Sequence, residues 1–454
     1  MATPKGRSAE VRLTSMPGIP VRAICIAVLL VSRTIAIQNS LCDGNDPEGG
    51  TEASSCPTKP AVFCRESRAC PAVVDESSPP NTWSVWTHRP YCTTTSPSVA
   101  EAFDVGASSA TAPYPGRLHT KFCVFTCSYF GDNGISIVTN PRIASDVAGK
   151  IRESYNSDFP GPATVQKLNL QPAFKVVDMP GKGGKGVVAT RRIPRHETFM
   201  IDYASVIVDA TASRSLSQAQ TNQLLRRATE QLLDPDQVLS LSGDAADTDL
   251  ENAIGGIIKT NNFLHELGNW PQKLLFPSIS RLNHECIPKT YLRLSNHGLT
   301  AGITALSDIH VGEEITVSYL EHFLTHAERA KKTTDWGFNC TCPLCTAEAA
   351  QVQESDLRRK QISKIGEELG RALQDYNMLL ARNIVENGLR LLAEDGLSFA
   401  SGELHETLAR IEWILGNEGA SDEHARKAAD YADFASLEPR NRTQEIIELL
   451  RSEG

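Results

Sequence analysis

Three features of the 454-residue sequence predict an α+β fold. β-branched and aromatic runs between residues 173 and 209, and again between 290 and 319, read as a strand-rich core. A helix-period stretch at 214–232 interrupts that core, and beyond residue 347 the chain becomes a succession of helix-length segments. The expected architecture is a β-rich core with an inserted helical segment, followed by an all-α, repeat-like C-terminal domain. Apolar residues make up 41% and charged residues 22%, which excludes wholesale disorder, a collagen-like fibre and a multi-span membrane protein. The net charge of −9 gives no reason to expect direct nucleic-acid binding, although a basic patch can sit on an acidic chain.

In chain order, Lys5, Arg7, Arg12 and Arg22 precede an apolar stretch at 23–31, which Arg33 interrupts. Residues 1–40 thus resemble a secretory signal or short signal anchor, the alternatives being a mis-assigned start or an amphipathic targeting segment. The run is short for a spanning helix. Residues 41–165 are rich in Cys, Ser, Thr and Pro, and up to about 118 they read as either stapled or disordered. Seven of the twelve cysteines (Cys42, Cys56, Cys64, Cys70, Cys92, Cys123 and Cys127) fall here, the pattern of a disulfide framework with one thiol left over.

Residues 120–130 predict a strand and 143–153 a short helix. A strand at 174–177, a Gly-rich turn at 181–186 and a strand at 187–190 follow, then a strand over 198–209. Leu216, Ala219, Leu224, Leu225 and Leu232 lie near helical spacing; a polar loop leads to a second helix ending near Asn261. Short strands fit 290–294, 300–305 and 315–319. The C-terminal helices fall near 354–382, 383–395, 402–416, 421–434 and 441–452, suited to antiparallel hairpins but without a clean repeated signature.

Four short motifs carry the chemistry. Residues 181–186, Gly-Lys-Gly-Gly-Lys-Gly, satisfy G-x-G-x-x-G in form, but Val187 and Val188 follow and Pro194 closes the run before a helix can develop. A dinucleotide loop is therefore rejected, as is a phosphate loop, which needs Ser or Thr after Gly-Lys. A hairpin turn, or a bare backbone approaching a ligand, remains. The second motif is Asn283-His284-Glu285-Cys286 before Pro288; the third is Gly312-Glu313-Glu314 leading to Tyr319. The fourth is the C-x-C-x-x-C of Cys340, Cys342 and Cys345, whose thiolates on one tight turn suit a tetrahedral ion, with disulfides or free thiols as the alternative.

In this order and at these separations the four motifs resemble a SET-domain protein methyltransferase, over roughly residues 170–346. Within that family the chain looks most like the fungal SET proteins related to the SET-and-MYND group. The shared features are the Leu-Phe-Pro-Ser-Ile-Ser run before the Asn-His box, the cysteine post-SET segment and a helical C-terminal domain. The insert at 210–260 contains no cysteine, so no MYND finger is expected there.

The resemblance implies a pseudoknotted SET domain at 166–335, a post-SET zinc segment at 336–346 and a helical domain at 347–454. It further implies transfer of a methyl group from S-adenosyl-L-methionine to a lysine of a protein substrate. Tyr319 takes the catalytic position. Gly184, Lys185, Gly186, Asn261, Ser280, Asn283, His284 and Phe338 take cofactor positions, with Trp336 placed either on the lysine channel or in the core. Cys286 joins Cys340, Cys342 and Cys345 as ligands of a structural Zn2+. One departure is Lys289, where the family has Asn after the Pro of the box.

A thiolate zinc site and this methyl donor favour cytoplasm or nucleus, whereas the N-terminal segment and its cysteines favour the secretory pathway. There Asn339-Cys340-Thr341 would be a glycosylation sequon beside a ligand. The competing readings are a catalytically inactive SET-fold binding module and a secreted disulfide-rich scaffold. A monomer is expected.

Overall fold

A computed structural model describes residues 11–12, 85–94, 121–156, 172–242, 250–267, 270–295 and 297–435. Four strands come first: β1 (Val11–Arg12), β2 (Tyr91–Thr94), β3 (Lys121–Cys127) and β4 (Ile135–Thr139). Helix α1 (Pro141–Asn156) starts where Asn140 Oδ1 accepts the backbone N–H groups of Arg142 and Ile143, an N-cap. A hairpin of β5 (Phe174–Met179) and β6 (Gly184–Ala189) leads to β7 (Thr198–Tyr203) and β8 (Val206–Asp209).

The insert supplies α2 (Gln218–Glu230), begun by a Ser217/Gln220 capping box, and α3 (Leu250–Asn261). Strands β9 (Phe263–Leu267), β10 (Trp270–Leu275), β11 (Asn283–His284), β12 (Thr290–Leu294), β13 (Thr300–Ala305) and β14 (Thr316–Val317) complete the β elements. Helix α4 (His326–Asp335) precedes the cysteine segment. After it come α5 (Ala349–Ile362), α6 (Ile365–Gln374), α7 (Met378–Glu394), α8 (Gly402–Ile414) and α9 (Glu418–Ala435).

Seven strands form one sheet in the order β1-β9-β10-β8-β4-β3-β2. Its β4–β8 pairing is parallel and carries the sheet across residue 166, joining the N-terminal strands to the core strands. Period-2 alternation explains how β3 is buried on both faces. Phe122 and Val124 pack on Leu224 and Leu225 of α2 and Ile254, Ile257 and Ile258 of α3. Cys123, Phe125 and Cys127 face the opposite core with Ile143, Val147 and Ile151 of α1. Full burial of a Phe, Leu or Ile side chain contributes about 1.5–3 kcal/mol, so the Phe122–Val124 face alone gives the insert a substantial apolar attachment.

Several expectations change. The strand expected over 198–209 is two strands in different sheets: β7 pairs with β13, β8 with β10 and β4. The chain turns the corner at Ala204 and Ser205, whose N–H groups donate to Leu299 O and Leu275 O on those separate sheets. At 315–319 only Thr316 and Val317 are strand, because the Ser318 hydroxyl bonds Leu320 O and bends the chain away. Strands β9 and β10 were not expected; His265, Glu266 and Lys273 break up their apolar pattern.

The single helix expected at 354–382 is three, broken at Ser363–Lys364 and at Asp375–Asn377, where Tyr376 adopts φ 52°. Of the seven N-terminal cysteines, Cys92 and Cys123 form a disulfide between β2 and β3, and Cys127 is buried in the core. Cys42, Cys56, Cys64 and Cys70, the apolar run at 23–31 and the helix expected at 441–452 lie outside the described residues. No helix among the described residues is long and apolar enough to cross a membrane.

The helical region docks through ionic and apolar contacts. Arg359 of α5 is wholly buried; its Nε donates to Asp395 Oδ2 at 2.7 Å and its Nη1 to His322 O at 2.6 Å. Tyr291, Leu306 and Phe323 of the β core pack on the helical cluster around Leu369, Val385 and Leu404.

Candidate active site

Parallel pairing of β11 with β14 brings Asn283 opposite Thr316 and His284 opposite Val317, although 33 residues separate each pair. This short pairing places the Asn-His box against the strand that ends in Tyr319, and the Glu285 N–H adds a bond to Val317 O at 2.9 Å. Around the junction lies a cavity of about 460 Å3. Its lining draws on the 181–185 turn, the end of α3 at Asn261, the turn holding Ser280, the Asn283-His284 pair, Tyr319, and Trp336 to Cys342.

Of the residues expected at a cofactor, Gly184, Lys185, Asn261, Ser280, Asn283, His284 and Phe338 line this one cavity with Tyr319. Gly186 does not line it. A Cβ there would fall 2.4 Å from Met179 Sδ and 2.6 Å from Asn283 Nδ2, so the missing side chain makes room for Asn283. Asn283 Nδ2 donates to Glu314 Oε1 at 2.9 Å and Lys185 O at 3.3 Å, and Glu314 in turn pairs with Lys182 at 2.6 Å. Sequence reasoning missed Lys182 and Glu314. Their signal was position alone, one in the glycine turn and one in the Gly-Glu-Glu box.

Asn261 is held from within, its Nδ2 donating to Ile257 O and Ser242 O, while Ser280 Oγ donates to Asn261 O at 3.2 Å. Tyr319 Oη donates to Leu282 O at 2.6 Å. The ring stacks on Trp336 at 5.1 Å and 25°, which puts Trp336 in the cavity wall, and meets Phe338 edge-on at 6.3 Å. Burial, with the Glu314 carboxylate adding to it, pushes the Tyr319 phenol above its ordinary range, so it stays protonated at neutral pH.

His284 is buried and pushed down to about 4, so it is neutral. Its Nδ1 accepts the Tyr319 N–H at 3.1 Å, which leaves the proton on Nε2, 3.3 Å from Cys286 Sγ. Hence His284 ties Tyr319 to the cysteine site.

Cys286, Cys340, Cys342 and Cys345 are unbonded thiols whose sulfur atoms all lie within 4.8 Å of one another, a set that can hold a metal ion. Cys286 Sγ is 3.8 Å from Cys340 and 3.5 Å from Cys345. Thiol donation from Cys286, then Cys340 and Cys345, holds Cys342 below the usual thiol range. Lys289, the departure in the box, pairs with Glu313 at 3.5 Å, and its N–H bonds Thr316 Oγ1.

A strand-built cavity closed by crossing Asn-His and Gly-Glu-Glu segments is the layout of a SET domain, and residues 184–320 match the SET domain family. Over this region the chain is similar to proteins named as lysine methyltransferases of the SMYD and SET5 type. It is 32% identical over 114 residues to "N-lysine methyltransferase SMYD2-B" of Danio rerio, covering 25% of each chain. Over 86 residues it is 36% identical to "Histone-lysine N-methyltransferase set5" of Schizosaccharomyces pombe, covering 18% of this chain and 27% of that protein. It is also 40% identical over 83 residues to human "Histone-lysine N-methyltransferase SMYD3", covering 18% of each. The matches thus span about a quarter or less of these relatives' length.

Proposed function

We propose that this protein transfers a methyl group from S-adenosyl-L-methionine to a lysine side chain of a protein substrate. The observation that carries the reading is the convergence of Asn261, Ser280, Asn283, Tyr319 and Phe338, from separate segments, on one cavity. The lining fits the donor: Phe338 offers a face for an adenine ring, while Asn261, Asn283 and the backbone of the glycine turn offer polar contacts. When bound, the donor supplies an electrophilic methyl group on a sulfonium.

The chain's own residues do the rest. Tyr319 spends its proton on Leu282 O, which turns the oxygen's lone pairs outward to accept from an incoming amine and orient its nitrogen. Trp336 and Phe338 beside it exclude water from an alkyl chain, and that desolvation lowers the lysine pKa toward the neutral form the reaction needs. Glu314 and Lys185 O fix the amide orientation of Asn283.

The four cysteines fit a closed structural Zn2+ site, because bond lengths near 2.3 Å in a tetrahedron put sulfurs about 3.8 Å apart. The 3.5 and 3.8 Å separations here agree with that spacing. Such a site pins the segment carrying Trp336 and Phe338 over the cavity. The free state of these cysteines and the presence of Tyr319, Asn283 and His284 together favour this reading over a disulfide scaffold or an inactive module.

Calorimetry with S-adenosylmethionine and a labelled-methyl assay on lysate proteins test the proposal. Binding is expected, with Tyr319→Phe keeping donor affinity while turnover falls or the methylation state changes. Absence of donor binding, or unaltered turnover and product in Tyr319→Phe, overturns it.

A further inference from the structure

A second cavity, of about 500 Å3, shares only Arg281 with the first. Phe174, Val176 and Phe199 give it an apolar bed. Asn133 lines it, is 4% exposed, and has no partner for its Nδ2. The amide cannot simply be reversed, because Oδ1 already accepts the Asp234 N–H at 2.7 Å. A buried donor fixed in direction and lacking a partner calls for an acceptor.

Three charged groups surround it. Arg281 spends Nη1 and Nη2 on Ser240 O and Oγ and keeps further N–H groups, since a guanidinium has five. Asp202 is buried and already accepts three backbone N–H groups, from Tyr203, Ser278 and Ile279. Asp132 is an exposed carboxylate on the lining. The cavity therefore asks for an anionic acceptor facing Asn133 and Arg281, a cation facing Asp132, and an apolar body on the Phe174–Phe199 bed. Its volume is that of a small-molecule site.

We propose that this second cavity binds a free α-amino acid with an apolar side chain. An α-amino acid carries the carboxylate and the ammonium on one carbon with the apolar group as the third substituent, so a single small molecule meets all three demands. A simple organic cation leaves Asn133 and Arg281 unanswered, and a phosphate or nucleotide brings no cation for Asp132. The proposal stands apart from the methyl-transfer reading, since it uses none of the residues assigned to the donor.

The test is calorimetry and saturation-transfer NMR on the full chain with L-phenylalanine, L-leucine and L-methionine. Two analogues of the first accompany them: 2-phenylethylamine, without the carboxylate, and 3-phenylpropionate, without the ammonium. L-phenylalanine is expected to bind, with each analogue about tenfold or more weaker. Asp132→Asn should weaken the amino acid and the amine but not the acid. Val176→Trp, made at a position 44% exposed and so tolerated by the fold, should fill the cavity and abolish binding. Asn283→Ala, in the other cavity, should leave binding unchanged. The proposal is overturned if none of the three amino acids binds at about 10 mM. Equal binding of either analogue, loss of binding in Asn283→Ala, or indifference to both Asp132→Asn and Val176→Trp also overturns it.

Discussion

Asp202 gives the sharpest test of the energetics beneath the candidate site. Its carboxylate takes the Ser278 and Ile279 N–H groups on Oδ2, at 2.7 and 2.9 Å, and the Tyr203 N–H on Oδ1 at 2.9 Å. In this way it holds the start of the turn that carries Ser280 and Arg281. Burial outweighs those three bonds and pushes the group up to about 6, from an ordinary 3.8. For an acid raised on folding, the native state holds the proton at pH values where the unfolded chain has released it. Stability therefore falls as pH rises from 3.8 to 6, and the ionised carboxylate costs about 3 kcal/mol at neutral pH.

Asp202→Asn removes the charge. The amide oxygen can still serve Ser278 and Ile279, but its NH2 then faces the Tyr203 N–H, which costs about 1–3 kcal/mol. The two changes nearly cancel at pH 7. The variant should sit within about 2 kcal/mol of the parent there and fall behind it by about 1–3 kcal/mol near pH 4, where the parent's Asp202 is protonated. Urea unfolding of both proteins at pH steps between 4 and 7.5 measures this, with the difference between them cancelling every other titrating group. Parallel curves across that range refute the reasoning, because they show that Asp202 ionises alike in the folded and unfolded chain.

Three further outcomes are expected. Metal analysis should find about one zinc per chain, and Cys340→Ser should lose it, as judged by atomic emission; disulfide mapping that pairs these cysteines contradicts the site. Gly186→Ala should displace Asn283, weakening donor binding about tenfold in calorimetry, because Asn283 is tied to Glu314 and cannot yield as Met179 can. Arg359→Met should destabilise by about 3 kcal/mol in urea unfolding, since the buried Asp395 keeps only Arg358, at 3.1 Å, and His322 O loses its donor. A loss below about 1 kcal/mol shows that this buried pair contributes little beyond an apolar substitute.

Much of the core was legible because its strands are built of β-branched residues bounded by turns. Strands β12 and β13 fall on the expected 290–294 and 300–305. Strands β9 and β10 were not legible, because their sequence alternates imperfectly and their identity rests on pairing with β8. Periodicity over 354–382 predicts one continuous helix because it does not register a turn made by Tyr376 in positive φ without a glycine. Gly186 stands for a wider ambiguity. A glycine in a motif reads as room for a ligand, and here the room is taken by Asn283.

The short contiguous boxes, through their resemblance to the SET family, were enough to name the cavity-lining asparagines, Tyr319 and the four cysteines; spacing alone marked only Cys340, Cys342 and Cys345. Contacts across long stretches of chain were not written in any box. The Lys182–Glu314–Asn283 relay, His284 bridging Tyr319 to Cys286, and the second cavity between residues 132 and 281 all depend on how the sheets cross. Local patterning encodes which backbone a segment prefers. Which distant side chains then share a hydrogen bond is settled by packing, where a pairing such as β11 with β14 brings together residues 33 positions apart.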